Sequence, residues 1–407
     1  MSNSIAQNWR LLSGEKEWEG LLHPLDTDLR HYIIHYGERV QAVYDCFINE
    51  PKSKNIGLQR YAKRNLFSKV GLEIGNPYKY NVKKYFYAST NQPFVSNEPK
   101  GSAGNSNWLG YVAVTTDEGK AVLGRRDILI SFRGTLRNSE NHIDAICDLV
   151  SASRILGPQN DPKVHRGWYL YYTTSETESN YNPTSCRDQI LATVKELVNQ
   201  YKDEEVSITV TGHSLGGAMA TLCATDIVYN EYNKPTEKPD KACLVTAIVF
   251  GSPRVGNGGF HRVFCSLHNL HSLRVRNKND AVPDLPENII PEHLDPNNVN
   301  RYVHVGKELV IDTHKSPYLK VSNKTAVTDH VLEVYLHGVA GTQGKDGSGL
   351  FELKANRDLA VINKSCDGLK DEYGVVAYWL VEKNKSMVQM SDGKWVLMDH
   401  EVDDDDN

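Results

Sequence analysis

The stretch Val206–Leu222, VSITVTGHSLGGAMATL, constrains this chain more than any other. Alternating Val206, Ile208 and Val210 predict a strand, and AMATLCATDIVYN beyond them has helix-forming composition. Between the two, Gly212-His213-Ser214-Leu215-Gly216 fits G-x-S-x-G, the pattern of a sharp strand-to-helix turn that presents a serine above a sheet. Side chains at the flanking glycines would clash inside such a turn. The strand, turn and helix together make Ser214 a candidate nucleophile, and they place the motif in an α/β sheet.

The rest of the chain alternates in the same way. Strand-like runs occupy 82–90, 107–118 and 126–135, with the last two expected to form a hairpin. Ile190, Val194, Leu197 and Tyr201 mark a helix before the motif, and a second helix is expected over 216–230 after it. A strand over 244–253, a helix near 258–267 and a strand over 272–277 follow. Residues 301–314, RYVHVGKELVIDTH, read as a hairpin turning at Gly306-Lys307, ahead of a helix over 330–340. Upstream, Leu29, Ile33, Tyr36, Val40, Val43 and Phe47 predict a long amphipathic helix over 27–48.

Several features invite other chemistry and fail its requirements. His31, His35 and Glu38 share a helix face, but no HExxH pattern or further ligand accompanies them, so they read as a solvated face and no metal is expected. Around GTQGKDGSG, 341–349, the preceding Val339 and the internal Asp346 stand where a phosphate loop needs glycine and a hydroxyl residue. It reads as a flexible turn. The acidic end DHEVDDDDN reads as a frayed tail.

A formal charge of −5 argues against nucleic-acid binding, and 407 residues suffice for one large core. Seven cysteines without a CxxC pair suit reduced thiols, which points to the cytosol. The N-terminus lacks the marks of a targeting segment, no apolar run reaches 18 residues, and sequons at Asn323, Asn363 and Asn384 read as chance. Three parts of one structural domain are expected: 1–100 as an N-terminal helical extension, 101–345 as the core and 346–407 as a β-rich C-terminal extension.

A serine hydroxyl attacks an ester only with a histidine base and an orienting carboxylate, which on this kind of sheet follow in the order Ser, Asp, His. Asp280 is the first acid beyond the strand SLRVRN, and Asp284, past Pro283, is its rival. His293, His304, His314, His330, His337 and His400 lie downstream. His330 ranks first because it stands where loop meets helix, behind the capping residues Thr328 and Asp329. His337 reads as a packed core residue. Leu215, following the serine, offers its backbone N–H to an oxyanion, and Thr135, ending FRGT, offers an N–H and a hydroxyl. Ile143, Ile146 and Val150 then stand at helical spacing, as a lid helix or an ordinary surface helix would have them.

Taken together, FRGT, VHRGWYLYY (164–172), TGHSLGGAMATL, RVRNKNDAVPDLP (274–286) and HVLEVYLHGVAG (330–341) resemble the class 3 lipases. NWRLLSGEKEWEGLLHPLD (8–26), YGERVQAVYDCF (36–47), SNWLGYVAVTTDEGKAVLGRRDILISFRGT (106–135) and WLVEKNKSMVQMSDGKWVL (379–397) look like the plant class II phospholipase A1 family. The resemblance implies an α/β-hydrolase fold and metal-free, cofactor-free removal of the sn-1 acyl chain from phospholipids such as phosphatidylcholine at a membrane or micelle surface. It places the nucleophile at Ser214, the acid at Asp280, the base at His330 and the oxyanion hydroxyl at Thr135. Phe132 and Met219 replace the Trp and Leu common in the family, both at packing positions. Plastid members of the family carry a transit peptide, and a chain starting at the first family motif fits the cytosolic branch. A broader esterase or galactolipase would share all these residues. A non-catalytic lipase-like signalling scaffold would keep the turn for packing, and reaction of Ser214 with a fluorophosphonate separates the two.

Overall fold

Seven strands lie side by side in chain order: Tyr80–Ser89, Ser106–Thr115, Arg126–Phe132, Val206–His213, Leu244–Phe250, Leu270–Asn277 and Lys307–Ile311. The first three pair antiparallel and every later neighbour pairs parallel. Parallel neighbours need long crossovers, and the helices Cys186–Gln200, Leu215–Tyr229 and Gly258–Cys265 lie within them. The computed structural model describes residues 4–90, 99–288, 290–320, 326–343 and 349–403.

Period-two alternation divides the strands between two cores. Ile128, Ile130, Phe132, Ile208, Val210, Val245, Ala247 and Val249 share one cluster with residues of the helices Cys186–Gln200 and Leu215–Tyr229. Leu129, Ile248, Phe250, Leu273 and Val275 share the other with Thr27–Cys46 and Leu332–Gly341. Helices on both faces of a mostly parallel sheet, with a strand–turn–helix around Ser214, make the α/β-hydrolase fold. The sheet's parallel direction brings the ends of several strands, and the loops after them, to one edge.

Some expectations from sequence do not hold. The strands Ser106–Thr115 and Arg126–Phe132 are antiparallel neighbours, but the helix Asp117–Leu123, capped by Thr116, joins them in place of a tight turn. Nor does 301–314 form a hairpin. Tyr302–Val303 pairs with Gly256–Asn257, while Lys307–Ile311 gains a five-residue parallel register with Leu273–Asn277 at the edge of the main sheet. His35 is buried under Tyr78 and bonds the Tyr80 hydroxyl at 3.2 Å, because the long helix is covered on nearly every side. Glu38 pairs with Arg357 at 3.3 Å. Among the described residues no three His, Cys, Asp or Glu side chains could hold a metal ion, and no helix is long and apolar enough to cross a membrane.

The C-terminal extension is less β-rich than expected: one short ladder, Met387–Gln389 with Trp395–Leu397, and otherwise turns. Its acidic end is not frayed as far as Asp403. Asp399 accepts from Ser53 Oγ (2.6 Å) and Asn55 Nδ2 (2.7 Å), Glu401 from Ala62 N–H (3.0 Å), and Asp403 from Lys63 N–H (2.6 Å). The carboxylates thus take two side-chain and two backbone donors of the loop 53–63, and burial makes each of those bonds count. Asp404–Asn407, Asn323 and the glycine-rich 344–348 lie outside the described residues. Asn363 is buried and bonds Val375 O, so that sequon is closed to modification.

Candidate active site

Ser214 sits at φ +59°, ψ −129°, between the strand Val206–His213 and the helix Leu215–Tyr229. For a non-glycine residue that conformation costs about 1–3 kcal/mol and persists only where its surroundings enforce it. Two close approaches do so. A Cβ on Gly212 would lie 2.1 Å from Gly216 O, and one on Gly216 would lie 2.5 Å from Arg133 O. Glycine at both places lets the helix start hard against the oxyanion loop, and Leu215, first in the helix, has an N–H with no intrahelical acceptor.

The acid and base come from the loops beyond Leu270–Asn277 and before Leu332–Gly341. Asp280 is buried; its Oδ2 accepts from His330 Nδ1 at 2.6 Å and from the Tyr335 hydroxyl, and its Oδ1 accepts from Val282 N–H at 2.9 Å. His330 Nε2 is buried without a hydrogen-bond partner among the described residues, and its ring lines the same cavity as Ser214. Asp284 instead binds Arg276 at 2.7 Å, half-exposed. Four of the other histidines are occupied elsewhere, His304 on Pro283 O, His314 on Asp329, His337 on Ser316 Oγ and His400 on Gln59 O, and His293 is exposed in the turn Glu292–Leu294 and does not line the cavity. Burial pushes His337 down to about 3, as suits a neutral core imidazole. Asp329 does not cap the helix as expected; Val331 stands at its N-cap with no side-chain bond.

Thr135 and Leu215 line the cavity beside Ser214. The Thr135 hydroxyl donates to Asp144 Oδ2 at 2.6 Å, while Trp168 Nε1 donates to Asp144 Oδ1 at 2.9 Å. Burial raises the Asp144 carboxyl to about 6, against the pull of those two donors. The expected lid divides into three environments. Ile143 is fully buried in the core, the helix Asn138–Ala145 ends before Ile146, and Val150 belongs to a short strand paired with Val164. Ile143 therefore anchors this segment, because the helix is too short to present one apolar stripe.

Several residues that position the site went unread in the sequence. Arg133 and Glu140, both fully buried, form a two-pronged ion pair (2.7 and 2.9 Å), and Glu140 also accepts from Leu136 N–H, Arg137 N–H and the Tyr171 hydroxyl. Burial alone would raise the Glu140 carboxyl; Arg133 and the two backbone donors overcome it and hold it low. The loop carrying Thr135 is thereby fixed at both ends. Tyr44, from the long N-terminal helix, accepts from Gly134 N–H at 2.7 Å and meets His213 Nδ1 at 2.8 Å, so one hydroxyl ties the oxyanion loop to the nucleophile turn. Burial, with His330 4.5 Å away, holds His213 well below the ordinary imidazole range, neutral and able to accept that proton. Tyr44→Phe is expected to lower kcat about 10- to 100-fold with KM little changed, since it removes the hydroxyl that holds the loop of Thr135 against the nucleophile turn and leaves Gly134 N–H without its acceptor. Steady-state kinetics beside thermal melting check this; a lowered Tm with unchanged kcat would leave Tyr44 only a packing role.

The cavity has a volume of about 710 Å³. Leu136, Trp168, Pro253, Val282 and Leu285 give it apolar walls, and Asn141, Asp144 and Glu287 contribute polar groups. A space of this size suits an acyl chain with a polar end.

Known proteins bear on these features. The family model described as lipase (class 3) matches residues 129–289, which include Ser214, Asp280 and Thr135. Phospholipase A1-IIgamma of Arabidopsis thaliana is 48% identical over 417 residues, covering 100% of this chain and 96% of its own. Phospholipase A1-II 1 of Oryza sativa subsp. indica is 46% identical over 409 residues, covering 98% of each chain. Among solved structures, the Lip2 lipase of Yarrowia lipolytica is 19% identical, with 70% of this chain and 81% of that one covered at a TM-score of 0.44. Identity of that order with the two plant proteins, sustained from end to end, decides the relationship: the chain belongs to the plant class II phospholipase A1 family of class 3 lipases.

Proposed function

We propose that this protein is a phospholipase A1, which removes the sn-1 acyl chain of phospholipids such as phosphatidylcholine through an acyl-enzyme on Ser214. The observation that carries the reading is the His330–Asp280 pair at 2.6 Å, with His330 Nε2 unpartnered in the cavity that Ser214 lines. In this reading His330 Nε2 takes the Ser214 proton as Oγ attacks the ester carbonyl. Asp280 keeps the other imidazole proton on Nδ1 and so fixes the tautomer that can accept. Backbone N–H groups of Leu215 and Thr135 receive the oxyanion; the Thr135 hydroxyl, directed at Asp144, holds the loop. Collapse expels the lysophospholipid, whose oxygen takes the proton back from His330, and water then frees the fatty acid by the same route.

The full-length relationship to proteins named phospholipase A1 supports the substrate class and the bond cleaved. Phosphatidylcholine carrying different acyl chains at its two positions tests both: the sn-1 fatty acid should appear first, and release of the sn-2 acid alone would refute the assignment. We further propose that the protein works in the cytosol on the surface of membranes. Its seven unpaired thiols support a reducing compartment. Accumulation of a fluorescent fusion in plastids or the secretory pathway would refute that location.

A further inference from the structure

Most large apolar side chains in this protein are buried, but a run near the C-terminus is not. Tyr378 is 62% exposed, Val381 77%, Trp395 54% and Met398 59%, with Leu380 and Val396 exposed beside them. The two stretches meet at the turn Glu382–Ser386, where Met398 N–H bonds Ser386 O. Asn384, Lys385 and Ser386 hold positive φ there, as does Tyr378, so the backbone is bent where the apolar groups turn outward.

Anchoring contacts show which end of the molecule carries this patch. Tyr378, Trp379 and Leu380 run along Asn363–Cys366, and Lys364 in that segment pairs with Asp45 at 2.9 Å. Asp45 follows Tyr44, the residue that touches Gly134 and His213. Arg60 bonds Ser386 Oγ, and the neighbouring Gln59 pairs with Phe47; Asn49, two residues on, reaches the cavity residue Leu136. The patch thus hangs from the same helix end that the catalytic loops meet.

Its chemistry favours lipid over protein. Trp and Tyr beside Lys is the composition of the membrane–water interface, where rings and lysine stems sit among headgroups. Protein interface cores are depleted of charge, whereas here Lys383 and Lys385 interrupt the apolar run and make no ion pair among the described residues. Glu382 is engaged with Tyr61 and Arg60, and Asp392 with Lys394, so the local acids do not neutralise those two lysines. We propose that Tyr378–Val381 and the Trp395–Met398 segment form a lipid-docking surface that seats the catalytic end on a phospholipid bilayer, its lysines facing lipid phosphates. The proposal rests on the phospholipase reading for its biological sense, but the binding itself does not depend on turnover.

The test uses the full chain carrying Ser214→Ala, which cannot consume its target, and phosphatidylcholine vesicles in a flotation assay. Adding Val381→Ser, Trp395→Ser and Met398→Ser should weaken vesicle binding about tenfold or more with Tm unchanged, since the side chains already face solvent. In the Ser214 chain, the same three changes should lower hydrolysis of vesicle phosphatidylcholine by a similar factor and spare a short-chain ester dissolved as monomers. Equal vesicle binding with and without the three changes, or equal loss on the dissolved ester, overturns the proposal. So does a parent dimer, seen by light scattering, that the changes dissociate while vesicle binding stays intact. Should the triple variant melt early, brominated phosphatidylcholine should quench tryptophan emission of the Ser214→Ala chain; absence of quenching is then the refutation. If the unaltered chain cleaves no ester at all, the phospholipase reading fails, and flotation still decides the docking surface.

Discussion

Ser214→Ala is expected to lower kcat on phosphatidylcholine by about 10⁴- to 10⁶-fold, the range seen when a serine hydrolase loses its nucleophile and keeps the rest of its site. The fold should not notice. Ser214 Oγ makes no hydrogen bond among the described residues, and the turn is held by backbone contacts, Ser214 N–H to Phe250 O at 3.0 Å and Gly217 N–H to Ser214 O at 2.8 Å. Alanine suffers the same positive φ as serine, so Tm should stay within about 2 °C. Initial rates and fluorophosphonate labelling measure the effect. A variant within tenfold of the parent rate would end the acyl-enzyme account, because among the described residues lining the cavity the other hydroxyl, Thr135, is committed to Asp144.

Asp280→Asn is expected to cost about 10⁴ in kcat through the proton on His330. With Oδ1 still accepting from Val282 N–H, the new amide nitrogen takes the place of Oδ2 and points its protons at His330 Nδ1 and the Tyr335 hydroxyl. Imidazole then accepts at Nδ1 and carries its proton on Nε2, which is the wrong tautomer to receive one from serine. Tyr335 can reverse its hydroxyl and accept, which keeps the new amide paired, and the melting temperature should fall by no more than about 5 °C. Asp284→Asn is the control: it weakens only half-exposed pairing with Arg276 and Arg254, and kcat should stay within about twofold. Equal losses in the two variants would mean that neither carboxylate orients the base.

Local pattern carried the strand–turn–helix around Ser214, because the period of two before it and the helical run after it are properties of adjacent residues. The same holds for the long N-terminal helix and the helices flanking the sheet. What pattern could not supply was partnership. Tyr44 and His213 are 169 residues apart, and YDCF alone does not say that a tyrosine hydroxyl will bridge two loops. His35 lies on a face rich in polar residues and is buried all the same, since the neighbouring segment Tyr78–Tyr80 covers it. Arg133 and Glu140 stand seven residues apart without a shared pattern, and only the folded loop buries them as a pair. RYVHVGKELVIDTH failed for a related reason: a glycine between two apolar runs signals a turn, while the stronger pairing lay with a strand some thirty residues earlier. Asp144 stood in plain view amid the expected lid, but only its contacts with Thr135 and Trp168 give it a place beside the serine.

The carboxylates at 399–403 set a condition on how the chain is made. Asp403 binds the backbone of Lys63 across 340 positions. At ribosomal speeds of about 5–20 residues per second, that separation is about 17–70 s of synthesis. Throughout that interval the segment 53–65 has no Asp399, Glu401 or Asp403 to cap it, and by its end every strand of the main sheet has been made. The molecule is thus buttoned last at a point near its beginning, and a nascent chain stalled before Asp399 should present that segment to a protease that the finished protein refuses.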